Sequence, residues 1–204
     1  VIMLIVVGTI LFIYLLIQFT TLSQKRKMEK KKNAFWDREY AANATRKADI
    51  SGLDYITVPL DTLPFAETDD EELNAIQNSI RNLSKESILN LTGLSNTDLK
   101  LQYGVANFNF LMQCDDNFTQ LVQAIYKWGS YLYEHNKLKE ATTVLEYGIQ
   151  IKSDISNNYI LLAHIYKDQG CTDKISSLIQ TAETLNTLSK NNILAALKKI
   201  QNSD

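Results

Sequence analysis

The chain predicts an all-α protein: a single transmembrane helix followed by a compact helical solenoid. Three observations carry this. Residues 1–19 hold no charged side chain. Two prolines and seven glycines in 204 residues are too few for the tight turns that a sandwich or barrel requires. From about Val122 to Leu185 one hydrophobic pattern occurs twice, 34 residues apart, and each copy carries two helical periods.

The first element is the apolar run, residues 1–20. A helix over residues 1–19 spans about 28 Å, close to the roughly 30 Å hydrocarbon core of a bilayer. A buried helix of a soluble domain is seldom apolar on every face for so long. A cleaved signal peptide needs a basic stretch before the run and small residues at a cleavage site after it, and neither stands here. The basic stretch follows instead. Residues 24–47 hold nine Lys/Arg against three Asp/Glu, although the whole chain has a net charge of only −2. Lys25, Arg26, Lys27, Lys30, Lys31 and Lys32 lie within about 15 residues of the apolar run. Positive residues remain on the cytoplasmic side, so the helical domain is expected in the cytoplasm. The same residues are expected to meet the membrane surface. A nucleic-acid role is not expected, because this basic run would lie against the bilayer and the rest of the chain is acidic.

Residues 21–47 read as a basic juxtamembrane segment, with Phe35, Trp36 and Tyr40 favouring a short helix after residue 33. Residues 48–66 hold both prolines, Pro59 and Pro64, which bias Val58 and Leu63 toward extended backbone. This segment is too apolar for a free linker. It reads as an extended arm lying against the helical domain, residues 67–204; a peptide occupying the domain's own groove is the competing reading.

Thr68 and Glu71 have capping-box spacing, so a helix is expected from there, with Leu73, Ile76, Ile80 and Leu83 on one face. Ser84 is a candidate fresh turn, and Gly93 suits a helix C-terminus. A helix over about 98–113 follows, capped by Asn96 or Thr97. Cys114 to Asn117 is expected to break it, and a further helix to run over about 117–135. Cys114 and Cys171 are too few for a disulfide framework and lack metal-ligand spacing. Buried thiols are expected.

The repeated stretch resembles the tetratricopeptide (TPR) family. Small residues recur where the helices of that family approach: Gly129, Ala141 and Gly148 in the first copy, Ala163 and Ala182 in the second. Large packing residues are Trp128, Leu132, Leu138 and Leu145, then Tyr166 and Ile179, with a family-like Gly170. Ile175 replaces a small residue, Thr172 is atypical, and neither copy ends in the family's proline. The resemblance implies helix pairs at about 118–151 and 156–185, with a capping helix at 189–201. It also implies a concave face lined by the first helix of each pair. By that resemblance the partner-facing residues are Tyr126, Ser130, Tyr133 and Glu134, then Ile160, His164 and Lys167, with Gln123, Asn157 and Asp168 beside them. The paired Lys/Asn/Arg set of members that bind chaperone tails is missing.

No chemistry is expected. His135 and His164 have no carboxylate or cysteine at ligand spacing. There is no Gly-rich phosphate loop and no nucleophile elbow. The paired acids at 69–70 and 115–116 are accounted for as helix caps. No cofactor or metal is expected. Four Asn-X-Ser/Thr triplets, at Asn43, Asn82, Asn90 and Asn117, read as coincidence in a chain with this many asparagines. The expected function is a membrane-anchored adaptor or scaffold that holds a protein partner. The alternatives are a structural subunit of a membrane complex and an extracytoplasmic tethered binding domain.

Overall fold

The computed structural model describes residues 2–203, with side chains from position 12 onward. The described residues form eight α-helices and no strand. In order they are α1 (Ile2–Asn43), α2 (Glu71–Leu83), α3 (Asn96–Tyr103), α4 (Phe108–Glu134), α5 (Leu138–Gln150), α6 (Ser156–Asp168), α7 (Thr172–Glu183) and α8 (Lys190–Asn202). The all-α class is therefore present. The expected span over residues 1–20 rests largely on side chains outside the described set. Among the described residues no helix is long and apolar enough to cross a membrane.

The chain divides into two compact units. The first comprises residues 1–48 and 96–107, that is α1, α3 and a 3-10 turn at Val105–Asn107. The helix expected after residue 33 is the continuation of α1. Its last turns are held by α3. Arg38 pairs with Asp98 at 2.5 Å, Thr97 donates to Glu39, and Lys100 donates to Asn43 Oδ1 at 3.0 Å. The helix predicted over 98–113 is not formed. Gly104, at φ +82, ends α3 at Tyr103, and a Cβ there would overlap the carbonyl oxygen of Arg46. Buried Asn107 seals the corner by donating to Tyr103 O at 2.7 Å and Ala48 O at 2.8 Å.

The second unit comprises residues 49–95 and 108–204. In it α2 packs on α4, α4 on α5, α5 on α6 and α6 on α7, while α8 rests on α6 and α7. The residues predicted to break a helix at 114–117 lie inside α4. Cys114, Asn117 and Phe118 are buried, so the apolar stripe continues through them. The polar groups serve the segment before α3 instead. Asp115 accepts from Leu91 N–H at 3.3 Å, and Asn117 Nδ2 donates to Ser87 O at 3.0 Å.

The N-cap of α2 is Asp70 rather than Thr68. Its carboxylate accepts from Leu73 N–H at 2.8 Å, and Thr68 Oγ1, two residues earlier, accepts from Asp70 N–H at 3.1 Å. The helix stops at Leu83; Ser84 caps its end and opens a turn, in which Glu86 N–H donates to Leu83 O at 3.0 Å. Gly93 follows no helix; its left-handed backbone, φ +90, passes against Asn186.

The 34-residue period is visible in the backbone. Two residues past the end of α4 stands Asn136 with φ 57, and two past the end of α6 stands Gly170 with φ 71. Lys137 N–H donates to Leu132 O at 2.9 Å; Cys171 N–H donates to Tyr166 O at 2.8 Å. Asn136 N–H donates to Tyr133 O at 3.0 Å; Gly170 N–H donates to Lys167 O at 2.9 Å. Both are Schellman turns, in which one left-handed residue lets the last carbonyls find donors. Each hands the chain to a second helix, starting at Leu138 and at Thr172.

The small residues stand where helices meet. A Cβ on Gly129 would lie 2.5 Å from Leu145 Cδ2, and one on Gly148 would lie 2.7 Å from Asn158 Nδ2. Ala141, Ala163 and Ala182 are fully buried. Two expectations differ. Leu138 is 37% exposed, so it is the first residue of α5 at the surface and not a core packer. Ile175 is 0% exposed and simply fills the space that a small residue leaves elsewhere.

The substitution Gly129→Val puts a β-carbon 2.5 Å from Cδ2 of buried Leu145 and adds two methyl groups to it. It is expected to destabilise the protein by about 2 kcal/mol, as overpacked cores are. Gly52→Ala, in open space, serves as the matched control. Denaturant midpoints measured side by side check the difference; equal midpoints would refute the close approach of α4 and α5.

Candidate partner-binding face

The predicted partner-facing residues occupy the outward faces of α4 and α6, which pack on one another. At about 100° per residue, Gln123, Tyr126, Ser130, Tyr133 and Glu134 fall within roughly one third of the circumference of α4. Tyr126, Ser130 and Tyr133 are half-buried, and Glu134 is exposed. Ser130 Oγ donates to Glu134 Oε1 at 3.1 Å. The ring of Tyr133 packs against the edge of the core. On α6, Ile160 also packs against the core edge while His164, Asn157 and Asp168 are exposed. Lys167 has a different task. Its Nζ donates to Ser203 O at 2.5 Å and to Ser203 Oγ at 2.8 Å, closing the C-terminal end of α8.

Residues 49–66 lie on the far side of α4 from this face. Phe65 packs against Trp128 with ring centroids 4.7 Å apart and planes tilted by 43°, and the Arg81 guanidinium stands 4.8 Å from the Phe65 ring centre. Trp128 is about 140–160° around α4 from Tyr126, Ser130 and Tyr133. The arm thus packs on the domain without occupying the predicted face. Buried Gln77 fastens it: Nε2 donates to Ala66 O at 3.1 Å, and Oε1 accepts from Ala66 N–H at 2.7 Å. Val58 and Leu63, the two residues before the prolines, are buried. Ile56 N–H donates to Ile88 O at 2.9 Å, and Tyr147 Oη donates to Thr57 O at 3.4 Å.

A second surface escaped the sequence reading. A shallow groove of about 240 Å³ lies among α5, α6 and α7, floored by Ile149, Leu162, Tyr166 and Leu178. Glu146 forms its rim, accepting from Tyr166 Oη at 2.6 Å and from Lys174 Nζ at 3.2 Å. The Lys174 ammonium stands 4.8 Å over the Tyr166 ring. Burial first, and then the hydrogen bond to Glu146, push the Tyr166 hydroxyl pKa well above its ordinary value. The partners are 20 and 28 residues apart in sequence, a separation that no local pattern announces.

Another cluster joins α2 to α4. Tyr131 Oη donates to Asp70 Oδ2 at 2.6 Å, and the Tyr131 ring stacks on His135 with centroids 4.0 Å apart. His135 Nδ1 lies 2.8 Å from Tyr131 O. The hydrogen bond to Asp70 leads in raising the Tyr131 hydroxyl to about 12. His164 is exposed on α6 and belongs to no such cluster. Among the described residues no group of His, Cys, Asp and Glu is arranged to hold a metal ion. Three of the four Asn-X-Ser/Thr amides are engaged internally, Asn43 by Lys100. Asn117 is buried, and Asn90 Nδ2 donates to Ile151 O and Lys152 O, both at 3.2 Å.

No family model matches this chain, and no curated protein or solved structure matches it either.

Asp70 supplies a test by acid. Leu73 N–H first, then the Tyr131 hydroxyl, hold its carboxyl below the ordinary range. A carboxyl depressed in the folded state stabilises that state above its unfolded pKa, about 3.9, and the contribution is lost as pH falls through the folded value. Thermal midpoints of Asp70→Asn should therefore lie below those of the native chain at pH 6 and converge with them below pH 4. A constant gap across that range would show that the carboxylate charge is not what matters.

Proposed function

We propose that this chain is a membrane-anchored adaptor or scaffold that holds a protein partner on a TPR-like helical surface. The observation that carries the reading is the outward face of α4 and α6. Two large aromatic side chains, Tyr126 and Tyr133, and the aliphatic Ile160 stand half-buried there. Around them are the polar groups of Ser130, Glu134 and His164. An apolar centre with a polar rim, rich in tyrosine, is the composition of a protein-recognition surface. The duplicated Schellman turns and the small residues at the helix contacts support the repeat reading, because stacked helix pairs present such a face by construction.

Anchoring rests on the sequence. Residues 1–19 carry no charge and lead directly into the basic stretch. The cationic residues favour a cytoplasmic location for everything after the span. A membrane-held adaptor meets membrane-bound partners at raised effective concentration, so a modest contact surface suffices.

Two measurements test this. In a crosslinking pull-down with the full-length chain, Tyr126→Ala/Tyr133→Ala should lose the crosslinked partner while circular dichroism stays helical. A partner set untouched by the substitutions would exclude this face. For topology, Cys171 is partly exposed and Cys114 is buried, so one thiol reports. An impermeant maleimide should label Cys171 only after cells are permeabilised. Labelling of intact cells would place the helical domain on the outer side.

A further inference from the structure

The basic residues of α1 form a ring, and a ring is not the shape that a surface-lying helix needs. We propose that Lys25, Arg26, Lys27, Lys30, Lys31 and Lys32 are a collar that gathers anionic phospholipid headgroups around α1 where it leaves the bilayer. The inference rests on the membrane-anchor reading above and adds to it a lipid class and the residues that select it.

Three features of α1 support the collar. The helix is unbroken from Ile2 to Asn43, so the angular position of each side chain follows from helical geometry. The two triplets, 25–27 and 30–32, are offset by five residues, and five residues turn a helix by about 500°, or 140° beyond a full turn. Taking Lys25 as zero, the six charges stand at about 0°, 100°, 140°, 200°, 240° and 340°. The largest gap between neighbours is about 100°, so no side of the helix lacks a cation. A helix lying in the membrane surface shows one apolar face and one basic face. This segment has no such division. A helix crossing the bilayer is surrounded by headgroups and can use charge on every side.

The height also fits. Leu22 is the last large apolar side chain of the run, and Lys25 follows it by three residues, about 4.5 Å of rise. The collar then extends about 10 Å to Lys32, comparable to one headgroup layer with its adjoining water. Lysine and arginine stems reach several ångströms along the helix and carry the charge to either end of that layer.

The charges are also available. All six side chains are exposed. Among the described residues none of them takes part in an ion pair or hydrogen bond, whereas Arg38 and Lys100, further along the same unit, are engaged. Glu29 is the one acid inside the collar, so six positive charges meet one negative charge over eight residues. Such a surface attracts anionic lipid with a strength that falls as salt is added.

The test uses the full chain reconstituted in phosphatidylcholine bilayers that contain trace spin-labelled lipid. Electron paramagnetic resonance separates lipid motionally restricted at the protein from free lipid. With the native chain, the restricted fraction of labelled phosphatidylserine should exceed that of labelled phosphatidylcholine by on the order of threefold at low salt, and the excess should shrink in 1 M salt. Changing all six residues to Gln should bring the ratio near one, with the helical circular dichroism retained. Changing only Lys25, Arg26 and Lys27, or only Lys30, Lys31 and Lys32, should leave an intermediate ratio. A restricted component with equal fractions of the two lipids in the native chain would overturn the collar and leave the anchor standing. A preference that survives the sixfold change would overturn the assignment of residues. No restricted component at all would overturn the anchor reading itself, and the collar with it.

Discussion

The second unit depends on how closely α5 approaches its two neighbours. Gly129 of α4 makes room for Leu145 of α5, and Gly148 of α5 makes room for Asn158 of α6 and Ile125 of α4. Asn158 Nδ2 then donates to Leu145 O at 3.2 Å. The contacts close a circuit through three helices. Within it no side chain can grow without displacing a buried neighbour, because interiors are packed at crystal density. Asn158 is fully buried, and its Oδ1 has no partner. A buried carbonyl left unpaired costs on the order of 1–3 kcal/mol. The cost is borne where one amide spans the gap between α6 and the backbone of α5, a gap that an apolar side chain of the same size would fill without the bond.

This circuit explains what was legible in the sequence. The spacing of Gly129, Gly148, Ala163 and Ala182 reports helix approach, since only small side chains allow it, and 34-residue recurrence reports that the approach is repeated. The turns at Asn136 and Gly170 follow the same period. What failed to show is equally physical. Asp115 and Asn117 read as helix breakers because such residues favour caps. In α4 their side chains leave the helix to satisfy backbone groups at Leu91 and Ser87, partners that local reasoning does not see. Gly104 was not recognised as the end of α3, because its reason is the carbonyl of Arg46, far away in the chain. Asp70, not Thr68, is the N-cap, and its second oxygen receives the hydroxyl of distant Tyr131. Tertiary partners enter each case.

The candidate face was legible only in part. The TPR resemblance placed Tyr126, Ser130, Tyr133 and Glu134 together, and positions three, four and seven apart do share a helical face. It placed Lys167 there too, but a long cation near a helix end finds oxygens, and Ser203 supplied its carbonyl and its hydroxyl. The arm was readable from its prolines and its apolar residues, of which Val58 and Leu63 are buried, Leu63 at a turn that its N–H closes on Pro59 O. Its fastening by Gln77 was not, because a glutamine in mid-helix looks like an ordinary surface residue. Only its burial shows that it imitates a backbone partner for Ala66.

The first unit raises a question of helix stability that packing inside the second cannot answer. From Gln24 to Asp37 helix α1 is exposed on all sides and rich in like charges. A helix of that composition is marginal alone, since it has no buried stripe and its lysines repel. With the proposed anchor, both of its ends are committed. On the anchor reading, the apolar run before it is helical by necessity, as the bilayer offers its backbone no other hydrogen-bond partners. At the other end α3 grips Arg38, Glu39 and Asn43. Helix propagation across the polar stretch then needs no new nucleus, and each added residue continues an existing ladder. Headgroups drawn to the collar would also screen the lysines from one another, so the lipid contact and the continuity of the helix support each other. From Leu22 to Asn43 the rise is about 32 Å. Within this unit the height of α3 above the apolar run is therefore set by a rod, not by the random reach of a flexible linker.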